Sequence, residues 1–263
     1  MPFIATMSTM LNIDLSGRIA VVTGATGELG RVMVRTLAEA GADVAIHYLK
    51  NLDRAKSLLS EVRSMGRKGC IVQADVTVED SVLAMHKKIT SELGDADIIV
   101  NNAVSAVPWQ SVLEQSPNGY EDQFRSCVLH NVLMAKAFVP AMIRRKWGRV
   151  IAISTECAMQ NGPSQSAYAA AKRGQDAVVR VLAKEVGRHE ITVNQVAPGW
   201  TISDKDRGTD RERQPEYEKN VPLGRRGTDR EIANVVAFLA SDLASFISGA
   251  FIPVCGGNVM PCI

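Results

Sequence analysis

The chain has 263 residues, of which 46% are hydrophobic and 22% are charged. This length and composition predict a single folded domain with a large core, and they argue against disorder and against a membrane-spanning protein. The net charge of +2 is too small to predict a nucleic-acid partner.

Residues 1–14 read as a loose N-terminal extension before one domain at residues 15–263. The extension is apolar, but it has neither the basic start nor the cleavage site of a signal peptide. The five cysteines are scattered and lack metal-ligand spacing, so we expect no metal site. A reducing, cytoplasmic environment suits them best.

Short β-rich runs alternate with longer amphipathic stretches, a pattern typical of a parallel sheet covered by helices on both faces. Strands are predicted at residues 19–23, 44–48, 70–74, 98–101, 150–154, 192–197 and 250–254. Helices are predicted at residues 31–40, 54–65, 78–92, 120–145, 165–187 and 230–240. The fold class is therefore α/β, a single-domain Rossmann fold with a doubly wound seven-stranded parallel sheet. The polar stretch 201–227 is predicted to be a substrate lid, or else a solvated surface loop.

A glycine-rich turn, TGATGELG, follows the first predicted strand and opens a helix. Such a turn presents unpaired backbone N–H groups and the positive end of a helix dipole to a pyrophosphate. Glycines also close tight turns between strand and helix without binding anything, so the turn alone is a weak signal.

Polar side chains follow the next strands, where a doubly wound sheet binds its ligands. Asp75 follows the third strand and can accept from an adenine amino group, or it can cap the helix expected near Thr77. The second strand ends in Tyr48 and Lys50 rather than in a carboxylate that would repel a 2′-phosphate. NADP(H) is therefore favoured over NAD(H).

Tyr168 and Lys172 are spaced four residues apart in a segment rich in helix formers, so they share one helical face. A lysine ammonium beside a phenol lowers its pKa, which makes Tyr168 a candidate general acid or base. Thr155 follows the fifth strand, where its hydroxyl can donate to a substrate carbonyl, with Ser154 as the neighbouring candidate. Both hydroxyls can instead satisfy backbone groups at the strand end.

These motifs together resemble the short-chain dehydrogenase/reductase family, and within it the branch of 3-oxoacyl-carrier-protein reductases. TGATGELG resembles the glycine turn of the family, ADV its adenine-side motif, NNA its fourth-strand motif and YAAAK its catalytic pair. ITVNQVAPGW and GAFIPVCGG resemble the sixth-strand and terminal-strand signatures. The resemblance covers residues 15–259.

The resemblance implies that Tyr168 donates the proton, Lys172 binds the nicotinamide ribose and Thr155 orients the carbonyl. It implies cofactor contacts from the glycine turn, the strand ends and the sixth-strand motif, namely from Gly24, Thr26, Glu28, Leu29, Gly30, Tyr48, Lys50, Asp75, Val76, Asn102, Ala103, Tyr168, Lys172, Pro198, Gly199 and Thr201. A homotetramer assembled through helices 120–145 and 165–187 is also implied.

Several positions depart from the family pattern. Glu28 replaces the middle glycine of the turn, which sets a carboxylate near the pyrophosphate. Cys127 stands where the family has its catalytic asparagine, and Asn131, one turn later, is a candidate substitute. Thr155 replaces the usual serine but keeps the hydroxyl. Val104 and Cys255 replace a glycine and an aspartate of the motifs.

The leading hypothesis is an NADP(H)-dependent oxidoreductase that reduces a carbonyl or oxidises an alcohol. The alternative is a binding or regulatory protein that kept the fold but has weak or lost turnover, as Glu28 and Cys127 suggest. A third possibility is a carrier-protein-bound substrate that meets Arg144, Arg145, Lys146 and Arg188, although cations also suit helix C-termini. We expect Trp109, Met159, Trp200 and the lid to shape the substrate pocket.

Overall fold

The computed structural model of the chain describes residues 12–261. Seven strands form within this range, as predicted: β1 Ile19–Val22, β2 Asp43–Tyr48, β3 Gly69–Gln73, β4 Ile98–Asn101, β5 Gly148–Ile153, β6 Ile191–Pro198 and β7 Phe251–Val254. Most of the predicted N-terminal extension, residues 1–11, lies outside the described range. Leu15 is already buried at the start of the domain, where its N–H donates to Ala40 O.

The α-helices of the described range are α1 Glu28–Glu39, α2 Leu52–Ser64, α3 Glu79–Glu92, α4 Pro117–Gln123, α5 His130–Arg145, α6 Cys157–Gln160, α7 Ser166–Val186, α8 Pro215–Glu218 and α9 Asp229–Ala240. The predicted helix at residues 120–145 is the one that differs in kind from its prediction. A π-helical segment, Phe124–Leu129, interrupts it between α4 and α5.

The sheet has the strand order β3-β2-β1-β4-β5-β6-β7, and every neighbouring pair is parallel. The chain therefore winds outward from β1 to one edge and then returns to build the other half from β4. This reversal between β1 and β4 is the topological switch point, where doubly wound sheets bind ligands beyond the carboxyl ends of the strands. The predicted fold class is confirmed.

Two apolar layers enclose the sheet. One lies under α1, α2 and α9 and includes the fully buried Val22, Leu37 and Ile46. The other lies under α3, α5 and α7 and includes Met85 and Phe138. The strands are buried on both faces, as expected for a parallel sheet with helices on each side.

The helical segment Pro117–Arg145 is apolar and long enough to cross a membrane by length and composition alone. However, 61% of its most apolar 18-residue window is buried inside the fold, where α5 packs against α3, α7 and the sheet. This burial is typical of a core helix.

Candidate active site

The glycine turn between β1 and α1 is held in a conformation that only glycine tolerates. Gly24 has φ +62°, and a Cβ there would come within 2.9 Å of Ala103 Cα. A Cβ on Gly30 would lie 2.3 Å from Gly24 O, so α1 packs tightly back onto the turn. The turn thus brings the backbone close to the end of β4 and leaves the α1 N-terminus facing the cleft.

Two side chains from neighbouring strands fix this turn. Asn102 donates through Nδ2 to Thr23 O at 2.9 Å and to Gly24 O at 3.2 Å. His47 accepts from Gly24 N through Nδ1 at 2.9 Å, which leaves its Nε2–H to donate to Ala74 O at 3.0 Å. Sequence reasoning missed His47, because its ring reaches the turn only through the pairing of β2 with β1.

A cavity of about 720 Å³ lies beyond the ends of β1 to β4. Ten of the predicted cofactor-binding residues line it: Gly24, Thr26, Glu28, Leu29, Gly30, Lys50, Asp75, Val76, Asn102 and Ala103. Tyr48, which was also predicted to bind the cofactor, does not line this cavity. Its side chain is 92% buried in the core under α1 and α2, because it points to the opposite side of β2 from His47.

Two roles were predicted for Asp75, a contact to adenine and a helix cap. It does not cap α3, whose N-cap residue is Val78. Its Oδ1 accepts from the backbone N–H and the hydroxyl of Thr77 at 2.9 and 2.7 Å, and α3 begins only at Glu79. This local turn leaves Asp75 at the wall of the cavity, where the adenine-side role remains a prediction.

Glu28 is the first residue of α1, and its carboxylate is paired with two arginines. Arg31 Nη2 lies 2.9 Å from Oε2, and Arg54 Nη1 lies 3.7 Å from Oε1. Arg31 also reaches Asp204 of the lid at 3.3 Å. The negative charge at the predicted pyrophosphate turn is therefore balanced by its neighbours, and Arg31 joins the turn to the lid.

A second cavity, of about 480 Å³, adjoins the first, and Glu28, Leu29, Asn102 and Val104 line both. It brings together the predicted catalytic and nicotinamide-side residues Thr155, Tyr168, Lys172, Pro198, Gly199 and Thr201. Thr155 and Tyr168 both line this cavity, where Thr155 acts to lower the pKa of the phenol. Residues predicted from separate motifs thus meet at one place.

The pKa of Tyr168 is raised above its ordinary value because burial disfavours the phenolate, and the thiols of Cys127 and Cys157 add to this effect. The lowering expected from Lys172 is not found. The ammonium lies 5.9 Å from the centroid of the phenol ring and donates to Ile153 O at 2.6 Å. Burial lowers the pKa of Lys172 from its ordinary value, and Cys127 opposes that shift.

Asn131 does not line any of the cavities that hold the other site residues. Its Oδ1 accepts from Asn101 Nδ2 at 2.8 Å and its Nδ2 donates to Cys127 O at 2.6 Å, so both ends of the amide are engaged in the core. One side chain beside the Lys172 ammonium is Cys127, which is fully buried in the π-helical segment. The geometry therefore argues against Asn131 as a substitute for the family asparagine.

On the far side of Tyr168, a third cavity of about 570 Å³ is lined by aromatic and polar groups: Trp109, Thr155, Glu156, Cys157, Gln160, Gln165, Tyr168, Gly199, Trp200 and Tyr217. Trp109 and Trp200 were predicted to shape the substrate pocket, whereas Met159 does not line this cavity. Because Thr155 and Tyr168 form part of its wall, this cavity opens directly onto the hydroxyls that were predicted to be catalytic.

Glu156 is a pocket residue that sequence reasoning missed, although it directly follows Thr155. Its carboxylate accepts from Tyr217 Oη at 2.9 Å and from Asn258 Nδ2 at 2.9 Å, which joins β5, the lid and the C-terminal loop. Burial raises the pKa of Glu156, while these two donors oppose the shift.

The lid is folded around the buried guanidinium of Arg226. This group donates to the carbonyl oxygens of Trp200, Thr201 and Glu212, and it pairs with Asp206 at 3.1 Å. Part of residues 201–227 lines the second or third cavity, namely Thr201, Ser203, Lys205, Asp206, Arg211 and Tyr217, while much of the segment is exposed. Its role as a substrate lid stays a prediction.

The two adjoining cavities suit a nicotinamide dinucleotide. The glycine turn allows close approach of its backbone, the α1 N-terminus supplies N–H groups for phosphates, and the second cavity ends at Tyr168 and Lys172. Residues from β1 to β4 would hold the adenosine half, and Lys172, Pro198, Gly199 and Thr201 the nicotinamide half.

Comparison with known proteins agrees with this geometry. The family described as Enoyl-(Acyl carrier protein) reductase matches residues 24–258. The 3-oxoacyl-[acyl-carrier-protein] reductase FabG of Staphylococcus epidermidis is 33% identical over 92% of this chain and 98% of its own length. FabG of Pseudomonas aeruginosa is 34% identical over 94% of this chain and 100% of its own length.

Solved structures give the same result. A short-chain alcohol dehydrogenase from Sinorhizobium meliloti superposes with a TM-score of 0.87 at 28% identity, covering 94% of this chain and 98% of that one. A 7α-hydroxysteroid dehydrogenase, solved with NADH and 7-oxo glycochenodeoxycholic acid, superposes with a TM-score of 0.85 at 29% identity, covering 94% of this chain and 96% of that one.

Proposed function

Because this chain belongs to the short-chain dehydrogenase/reductase family of oxidoreductases, we propose that it reduces a carbonyl, or oxidises the corresponding alcohol, with NADP(H). The observation that carries the proposal is the meeting of Thr155 and Tyr168 at the wall shared by the dinucleotide cleft and the aromatic cavity, with Lys172 beside them in the cleft. A reduced nicotinamide bound in that cleft supplies the hydride.

The chain's own residues would supply the proton and the orientation. Thr155 donates a hydrogen bond to the substrate oxygen, and Tyr168 gives its proton to the same oxygen. The raised pKa of Tyr168 keeps the phenol protonated, as a general acid must be before it acts. In the oxidation direction Lys172 must stabilise the phenolate, since burial alone disfavours that charge.

The preference for NADP(H) is supported by the charges at the end of β2. Lys50 lines the cavity and Arg54 lies beside it through its pairing with Glu28, while the strand end carries no carboxylate. Two cations placed there favour a 2′-phosphate. Glu28 is the opposing charge, and Arg31 offsets it.

The aromatic cavity supports a small or medium-sized apolar carbonyl substrate. Trp109 and Trp200 are 60% and 50% exposed on its wall, which leaves aromatic surface for a ligand to cover. A carrier-protein-bound substrate has less support. Arg144 and Arg145, in the last turn of α5, already pair with Asp95 at 3.8 and 3.3 Å, so their charges are partly neutralised within this chain.

We further propose a homo-oligomer, a dimer or tetramer, located in the cytoplasm. An apolar groove of about 540 Å³ runs between α5 and α7 on the outer surface, which fits the interface predicted for these helices. Within the described residues the four cysteines are free thiols, which suits a reducing compartment.

The test is a fluorescence titration with NADPH and NADH, followed by NADPH consumption with a panel of ketones, ketoacyl thioesters and oxosteroids. We expect NADPH to bind more tightly and at least one apolar ketone to be turned over. Tight dinucleotide binding without turnover of any substrate would favour the alternative function, a binding or regulatory protein.

A further inference from the structure

The Lys172 ammonium is fully buried and has two of its three N–H donors engaged by this chain. One donates to Ile153 O at 2.6 Å and another to Gln175 Oε1 at 3.1 Å. The side chain of Cys127 also lies beside the ammonium. Gln175, one turn further along α7, is thus one of the groups that hold this ammonium in position.

Gln175 is the first member of a hydrogen-bonded chain that leads away from the active site. Its Nε2 donates to Ile153 O at 3.3 Å and to Gln195 Oε1 at 3.5 Å. Gln195, on β6, donates through Nε2 to Asp176 Oδ1 at 2.6 Å. Both glutamines are fully buried, and Asp176 is held at the surface by Arg180.

The two ends of this chain fix the orientation of both amides. An ammonium only donates and a carboxylate only accepts, so Gln175 must turn Oε1 toward Lys172 and Gln195 must turn Nε2 toward Asp176. The amide dipoles are therefore aligned head to tail between the negative Asp176 and the positive Lys172. Hydrogen bonds arranged in series in this way strengthen one another in a low-dielectric interior.

We propose that Gln175, Gln195 and Asp176 are positioning residues that hold Lys172 in its charged form beside Tyr168. The inference rests on the proposed function, since it concerns how the catalytic lysine is kept ready. It also explains how the site works with Cys127, a weak acceptor, in place of the family asparagine. Gln175 gives the ammonium an acceptor from α7, in addition to Ile153 O of β5 and the side chain of Cys127.

The other titratable groups around Lys172 do not replace this chain. Tyr168 lies on the same helix, and Cys127 and His130 face the lysine from the preceding helical segment. Burial lowers the pKa of His130 to about 3, so it is neutral over the working range. Gln195 is the polar neighbour from β6 and carries no charge.

The experiment measures NADPH affinity and kcat as functions of pH, with affinity read from nicotinamide fluorescence. In Gln175→Met the alkaline midpoint at which NADPH affinity falls should move down by about one pH unit, because a hydrogen bond to a charged group is lost. Gln175→Glu should move it upward, since a carboxylate faces the ammonium. Gln195→Met and Asp176→Asn should move it down by smaller amounts.

Glu92→Gln is the matched control, because it removes the acid of another i,i+4 surface pair, with Lys88, on a helix remote from Lys172. It should leave the midpoint unchanged. If Gln175→Met fails to fold, as judged by circular dichroism, Gln175→Glu and Asp176→Asn decide the question.

Midpoints that do not move in the folded variants, or that move the same way in Gln175→Met and Gln175→Glu, overturn the inference. Shifted binding midpoints in a protein that turns over no carbonyl support the positioning chain and count against the proposed function. Normal turnover with unmoved midpoints supports the proposed function and counts against the positioning chain.

Discussion

Tyr168 is the single residue on which the proposed chemistry depends most directly, because its hydroxyl is the proton donor. We expect Tyr168→Phe to lower kcat by at least about 100-fold, the usual contribution of a general acid, while NADPH affinity stays nearly unchanged. Steady-state kinetics and a fluorescence titration measure the two effects. Tyr120→Phe is the control, since that phenol bonds Ser166 at the start of the same helix, outside the site. Retention of more than about a tenth of kcat excludes Tyr168 from this role.

Lys50 is the residue expected to select the cofactor. We expect NADPH to bind more tightly than NADH, and Lys50→Ala to narrow the difference because a cation near the 2′-phosphate is lost. The effect should weaken in high salt, since an exposed charge is screened. Lys56→Ala, on the exposed face of α2, is the control. An unmodified protein that prefers NADH contradicts the assignment.

Glu28 is expected to weaken dinucleotide binding, because its carboxylate lies at a helix N-terminus that should hold a phosphate. Glu28→Gln should tighten NADPH binding by about 0.3 to 1 kcal/mol and free Arg31 and Arg54 for the phosphates. Glu28→Gly should add relief of any steric obstruction. Calorimetric binding constants for the two variants separate the electrostatic effect from the steric effect. Glu61→Gln, which removes a carboxylate from α2, is the control. If neither variant binds more tightly, the turn is not aligned with the family glycines as we have assumed.

Among the secondary-structure elements, α9 has a carboxylate at its N-terminus whose contribution to stability depends on pH. Thr228 and Glu231 form a reciprocal capping box, and Arg225 bonds the same carboxylate at 3.0 and 2.7 Å. These contacts lower the pKa of Glu231 from 4.5 to about 2. Because the pKa of Glu231 is lower in the folded than in the unfolded protein, its ionised carboxylate stabilises the fold at pH values above about 4.5. This stabilisation is lost as the pH falls from about 4.5 toward 2.

We therefore expect Glu231→Gln to be less stable than the unmodified protein at neutral pH and to show a flatter loss of stability below pH 4.5. The difference should be under about 1 kcal/mol, because Glu231 is 41% exposed and solvent screens its ion pair. Urea unfolding across this pH range measures it. Glu216→Gln, whose pair with Lys219 is exposed, should not differ from the unmodified protein. Equal pH slopes for Glu231→Gln and the unmodified protein would contradict the argument.

For the whole molecule, the α5–α7 groove sets the expected assembly. Val181 lies in this apolar groove and is 55% exposed, so a second copy of the chain would bury it. We expect Val181→Glu to shift the protein toward a smaller species in light scattering coupled to size exclusion. Leu83→Glu, on α3 at similar exposure, should leave the mass unchanged. A monomeric unmodified protein would refute the interface.

The overall fold and the cluster of candidate catalytic residues were predictable because they follow local patterns. Apolar runs between turn residues located β4 without error, and the YAAAK spacing located Tyr168 and Lys172. Features that depend on distant pairing were not predictable. His47 reaches Gly24 only when β2 lies beside β1, and Gln175 meets Gln195 only when α7 packs on β6.

The helix boundaries show the same limit. The α1 start at Glu28, rather than at residue 31, depends on how the glycine turn packs against β4. Asn131 was a reasonable substitute for the family asparagine on helical spacing alone. The structure instead places Cys127 beside Lys172, in a π-helical segment that no residue pattern in the sequence indicates.

The π-helical turn at Phe124–Leu129 contains one residue more than an α-helix needs there. Since each residue turns an α-helix by about 100°, loss of a single codon would let the helix close regularly while rotating α4 against α5. Both halves would survive, but a different side chain would face Lys172. A length change of one residue in this segment would therefore be enough to change the neighbour of Lys172 without a substitution at any position.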